Sequence, residues 1–180
     1  MKFLIKLMIK MLILAGIAFY IFYGGEIMAQ ESATIQAVAN VLPALTITGE
    51  NNLDFGTVFP GTDKSVDKAT LGSAGDFHIQ GNNNAEITLD FDLPPQLDHE
   101  TVTTSMAIVF TATDASYDDE SGGGQPSPTG TIDPRVISTL DLGPTGQMDI
   151  WIGGTVQPTL TQTGGDYSGD LTLTVTYTGN

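Results

Sequence analysis

Cysteine is missing from all 180 residues. No disulfide can staple this chain, no thiol can serve as a nucleophile, and an exported domain of this kind must be held by its core alone. Basic side chains are almost as scarce, 6 Lys and Arg against 21 Asp and Glu. Residues 1–29 hold Lys2, Lys6, Lys10 and Glu26; without them 20 acidic and 3 basic groups remain, a formal −17. Such a surface repels phosphate backbones and anionic lipid, which disfavours nucleic-acid partners and electrostatic membrane docking, while it favours solubility and divalent cations. Helical periodicity is absent after the first 30 residues, and no segment recurs at a fixed period, which argues against a solenoid or propeller.

Catalytic patterns are equally thin. There is no Gly-x-Ser-x-Gly elbow and no Ser-His-Asp set that the strand order brings together. The glycine-rich stretches "WIGGTV" and "SGGGQ" do not lie between a strand and a helix, as a phosphate cradle requires. His78 and His99 are isolated, one in a strand pattern and one in a turn, and make neither a zinc site nor an acid-base pair. Asp114, Asp118, Asp119 and Glu120 offer oxygen ligands for Ca²⁺, but without the spacing of an EF-hand; a solvated acidic loop is the simpler expectation. The reading is therefore a non-enzyme with no cofactor and no metal.

One long apolar run is present. Met11–Tyr23 follows Lys2, Lys6 and Lys10 and precedes a polar stretch containing Ala29. It is shorter than the ~20 residues of a spanning helix, so residues 1–29 read as a signal peptide cleaved after Ala29, with a retained membrane anchor as the lesser alternative. That places the rest in the periplasm, at the cell surface or outside the cell. Residues 30–43 read as an N-terminal extension and 44–180 as one domain, long enough to bury a core.

Period-two alternation fills that domain. Leu171, Leu173, Val175 and Tyr177 share one face of a terminal strand, and Thr172, Thr174 and Thr176 the other. "ALTITG", "DFHIQ", "AEITLDFD", "SMAIVFTAT", "RVISTLDLG" and "QMDIWIGGTV" read as further strands, separated by Gly, Pro and Asn at the spacing of an all-β sandwich. Residues 113–131, rich in Gly, Pro and Ser, read as a mobile surface loop. Trp151 alternates with Ile150 and Ile152 and so points away from their core, either covering an edge or interface or offering a platform for sugar stacking. The extension alternates too: Ala33, Ile35, Ala37, Ala39 and Val41 fall on one side.

"LDFG" at 53–56, "IGGTV" at 152–156 and "GDYSGDLTLTVTY" at 165–177 together resemble two related groups. One is a secreted bacterial family catalogued as a domain of unknown function, family 4402. The other is the spore-coat-protein-U-like pilins of chaperone-usher systems. The cysteine that usually follows the extension in those pilins is absent, its place falling near Ala44. The pilin resemblance implies an immunoglobulin-like antiparallel β-sandwich lacking its last strand beside the C-terminal one. It further implies that a periplasmic chaperone, then the extension of another subunit, fills that place by strand addition. On that expectation Ala33, Ile35, Ala37, Ala39 and Val41 are donor-strand candidates, and Leu171, Leu173, Val175 and Tyr177 the acceptor strand. The protein would then be a secreted structural subunit of a surface or pilus-like assembly, its partners copies of itself or related subunits. Two alternatives stay open: residues 33–41 complete their own domain, or the chain is a monomeric surface module binding glycan or calcium.

Overall fold

The computed structural model describes residues 4–13 and 31–179. Residues 4–13 are helical, and no helix among the described residues is long and apolar enough to cross a membrane. The expected cleavage point after Ala29 lies outside the described residues. By contacts the chain divides into two units, Met1–Asn40 and Val41–Asn180. In the first, residues 31–40 form no strand and are exposed throughout, Ile35 to 92%.

The second unit is nearly all β, as the alternation predicts. In chain order the strands are β1 (Thr46–Asn51), β2 (Lys64–Val66), β3 (Gly75–Gln80), β4 (Glu86–Asp92), β5 (Gln96–His99), β6 (Ser105–Val109) and β7 (Ala115–Asp118). They continue with β8 (Gly130–Ile132), β9 (Ser138–Asp141), β10 (Gln147–Ile152), β11 (Gly154–Gln157), β12 (Tyr167–Ser168) and β13 (Thr172–Tyr177). Three antiparallel sheets result, ordered β1-β3-β10-β7-β8, β12-β5-β6-β11-β2 and β13-β4-β9.

These sheets pack as a sandwich around one core, because each strand turns its apolar positions to the same side. Ile79 of β3, Ile87 and Leu89 of β4, Ile108 of β6, Met148, Ile150 and Ile152 of β10, Val156 of β11 and Leu173 of β13 are buried in a single cluster. Each such side chain contributes about 1.5–3 kcal/mol of burial. No buried side-chain polar atom among the described residues is left without a hydrogen bond, as a well-formed interior requires.

Two turns redirect the chain between sheets. Gly81–Asn84, between β3 and β4, carries it from the first sheet to the third, so these two strands do not form a hairpin with each other. Gly153 separates β10 from β11 and passes the chain from the first sheet to the second. A side chain there would collide with the Val66 carbonyl, so the close approach of two backbones fixes glycine at this point.

The stretch 113–131 corrects the expectation of a mobile loop. It contains β7 and β8, which pair from Ala115↔Ile132 to Tyr117↔Gly130, and its connection is tied down. Asp118 is buried, 6% exposed, and its Oδ1 accepts from the Gly122 N–H at 3.0 Å while Oδ2 accepts from the Gly124 N–H at 2.5 Å. Asp119 accepts from the Ser121 N–H and the Thr129 hydroxyl, and Glu120 from the N–H and hydroxyl of Thr145. Gln125 donates to the Lys68 carbonyl at 2.7 Å, and Lys68 Nζ donates to the Thr113 carbonyl. Short polar strands closed by carboxylate acceptors carry no apolar signature, which is why composition suggests a loop.

Candidate functional site

A strand at the margin of a sheet shows a row of unpaired N–H and C=O groups. Most margins of this molecule are short: β8 and β2 have three residues each, β12 two and β9 four. The exceptions are β1 and β13, with six residues each. Among the described residues β13 is paired on one side only, with β4 from Thr172↔Asp92 to Tyr177↔Ile87, and β1 only with β3.

One groove is lined by the last residues of β1 and by Leu171, just ahead of β13. Tyr177, at the end of β13, lies beside the start of β1: its hydroxyl donates to the Pro43 carbonyl at 3.2 Å and accepts from the Asn82 N–H at 2.7 Å. This end is packed shut. A Cβ added to Gly81 would meet Tyr177 Oη, Leu142 Cδ1 and Leu45 Cδ1, all within 3 Å. At the other end Gly49–Val58, which prolongs β1, stands apart from Gln162–Leu171, which leads into β13. Between these banks opens a groove of about 1410 Å³ whose floor includes the core side chains Phe77, Leu97, Met106, Ile108, Phe110 and Ile152.

The acceptor-strand candidates fall where alternation puts them. Leu173 is buried, Leu171, Val175 and Tyr177 are half-buried, and Thr172, Thr174 and Thr176 are exposed. The donor candidates Ala33, Ile35, Ala37, Ala39 and Val41 are exposed and take part in no strand.

The remaining candidates make local contacts. His78 Nδ1 lies 2.7 Å from Asp149 Oδ1 across β3 and β10. His99 Nδ1 accepts from the Thr101 N–H, and its ring meets Tyr167 edge-on with centroids 4.9 Å apart. Asp114 accepts from the Thr111 N–H. The oxygens of Asp118, Asp119 and Glu120 face N–H and O–H donors, the opposite of what a cation needs, and no group of three metal-ligating side chains occurs among the described residues. Burial pushes the Asp118 carboxyl up, but the Gly122 and Gly124 amides and the Thr129 hydroxyl outweigh it and hold the group below its ordinary value. Asp133, gripped by Arg135, is held down at about 2.

Trp151 faces away from the main core, as the alternation predicts, yet is only 5% exposed. It pairs across the sheet with Ser116, which lies on the same face as Asp118 and is itself buried. Its ring is covered and offers no stacking surface. Sequence reasoning missed the β1 edge, the groove floor and the Tyr177–Pro43 bond; a tyrosine closing a strand of threonines was the available signal for the last.

These features define a β-sandwich domain with two long edge strands, each paired on one side only, and a groove lined by the end of β1 and the approach to β13. The chain belongs to the family described as Domain of unknown function (DUF4402), whose model matches residues 45–177. That match runs from Leu45 to Tyr177 and leaves the extension outside it. No curated protein matches the chain.

Proposed function

We propose that this protein is a non-enzymatic, secreted structural subunit of a surface or pilus-like assembly, built by adding an extended segment to the open edge of β13. The observation that carries this reading is the pairing of two unmet needs. A six-residue edge is paired on one side only, a groove floored with core side chains opens by Leu171 at its start, and residues 33–41 alternate in the strand period while taking part in no strand. An added strand gains main-chain hydrogen bonds from the edge and side-chain burial from the groove. Copies of the chain or related subunits are the partners, with a periplasmic chaperone as an earlier occupant. The leader-like residues 1–29 support export. The glycan and calcium reading draws less support, since Trp151 is covered and the acidic loop is occupied by donors.

Deleting residues 30–42 tests the proposal. The shortened protein should run as a monomer that a synthetic peptide of the same stretch restabilises, whereas the full chain gives oligomers that resist detergent until boiled, because strand-exchanged polymers dissociate slowly. Unchanged assembly and unchanged melting after the deletion would sink it.

A further inference from the structure

The groove carries charge of one sign. Glu50 and Asp54 stand on one bank, Asp166 and Asp170 on the other; all four are exposed, and no Lys, Arg or His lines the groove. The basic side chains of the strand domain are spent on other acceptors: Lys64 Nζ on the Thr57 carbonyl, Lys68 Nζ on the Thr113 carbonyl, and Arg135 on Asp133. None of the four groove carboxylates forms an ion pair among the described residues. Asp54 is committed to its own turn, accepting from the Gly56 N–H at 2.7 Å.

The floor has the opposite character. Phe77, Leu97, Met106, Ile108, Phe110 and Ile152 face the opening, so an apolar recess is rimmed by carboxylates. Such a recess marks a site of interaction, and its low-dielectric walls concentrate the field of the charges around it. Its volume of about 1410 Å³ exceeds the roughly 300–1,000 Å³ of small-ligand sites and suits a peptide of several residues. Anionic lipid and polyanions are repelled from it. An uncharged apolar segment fills the floor and leaves the rim uncompensated. A segment with the composition of residues 30–43, which hold Glu31 and no Lys or Arg, does the same.

We infer that this groove is a docking site for a cationic amphipathic peptide foreign to the chain, its apolar side chains on the floor and its Lys or Arg side chains paired with Glu50, Asp166 and Asp170 on the two banks. The partner belongs to the class of basic, membrane-active peptides. The formal −17 of residues 30–180 steers such a peptide toward the protein. This activity goes beyond strand addition, because it depends on the charge of the groove and not on the free edge of β13.

The experiment titrates the full chain into three fluorescein-labelled, amidated synthetic peptides of equal length: alternating Leu-Lys, alternating Leu-Glu and alternating Ser-Lys. Anisotropy reads the affinity. Two full-length variants accompany it. The groove variant is Glu50→Gln with Asp166→Asn and Asp170→Asn. The control is Asp90→Asn with Asp92→Asn and Asp141→Asn, which removes the same charge from the exposed face of the β13-β4-β9 sheet. All six positions are exposed, and thermal melts check that each variant folds.

Leu-Lys should bind, and Leu-Glu should not. Ser-Lys should bind at least about tenfold more weakly for want of apolar burial. The groove variant should weaken Leu-Lys by about tenfold, as three exposed ion pairs are lost together, and the control by less than about threefold. Raising salt from about 0.05 to about 0.5 M should weaken the unmodified protein more than the groove variant.

No binding of Leu-Lys, or equal binding of Leu-Glu, overturns the proposal. Equal binding of Ser-Lys removes the floor from it and overturns it as well. Equal losses in the two variants mean diffuse attraction to an acidic protein, and a larger loss in the control places the peptide on the β13 sheet; either result overturns the groove. Detergent gels of the same samples keep the two readings apart: oligomers without peptide binding sink this proposal alone, and peptide binding by a chain that never assembles sinks strand addition alone.

Discussion

Residues 113–131 and residues 33–41 exchange the roles that their sequences suggest. The first, glycine-rich and polar, is pinned by the buried Asp118 carboxylate and carries Ser116, the cross-strand partner of the buried Trp151. The second has the cleaner strand pattern and lies exposed with no ladder. Main-chain partners make the difference. A turn can satisfy its amides with its own side chains, but a strand needs another strand. Apolar alternation reports which side chains want burial; it is silent on whether a neighbour exists.

The largest test of this contrast is Trp151→Ala. A truly covered indole should cost about 3–5 kcal/mol on truncation, as buried aromatics do. Urea unfolding of the monomeric domain measures it. A cost below about 1 kcal/mol would mean that the ring is not covered, and the glycan-platform reading would revive.

Next in size is Asp118→Asn, which keeps the shape and removes the charge that gathers Gly122, Gly124 and Thr129. Hydrogen bonds to a charged acceptor are worth roughly 1.5–3 kcal/mol, so a loss of about 2 kcal/mol near pH 7 is expected. Its pH dependence has a definite sign. The folded carboxyl sits below the unfolded value of about 3.9, so the group's stabilisation is complete above that value. It is lost as pH falls through the folded pKa. The variant should therefore lose part of the acid limb of the stability curve. An acid limb identical to that of the unmodified protein would remove Asp118 from its role.

Much of the architecture was legible because its core strands obey the period-two rule. β3, β4, β10 and β13 all stand where Phe77 and Ile79, Ile87 and Leu89, Ile150 and Ile152, and Leu173 and Val175 alternate. Less legible were β7 and β8, which are short, polar and stabilised by carboxylates rather than by apolar faces. Sheet membership was not legible at all: nothing in "GNNN" says that the turn changes sheets. The candidate site was half visible. Threonine alternation marked β13, whereas the second edge at β1, the groove floor and the Tyr177 bond arise from contacts between residues as distant as Pro43 and Tyr177.

The smallest expected effect separates the covered face from the open edge by sign. Asp76 lies in β3 between Asn51 of β1 and Trp151 of β10, on the side where the sheet ends in the edge strand β1. Burial pushes its carboxyl up, the Trp151 indole N–H pulls it down, Asp149 and Glu50 push it up again, and the net shift is upward. The folded protein thus binds the proton more tightly than the unfolded chain. Stability attributable to this group falls as pH rises from the unfolded value through the raised folded one, the reverse of Asp118. Asp76→Asn retains an oxygen for the indole and removes the repulsion, so it should stabilise the domain at pH 7 by less than about 1 kcal/mol, the range of partly exposed charge interactions. Below pH 4 the gain should vanish. Thermal melts at both pH values decide: a loss of stability at pH 7 would show that the carboxylate's charge, like that of Asp118, is wanted where it stands.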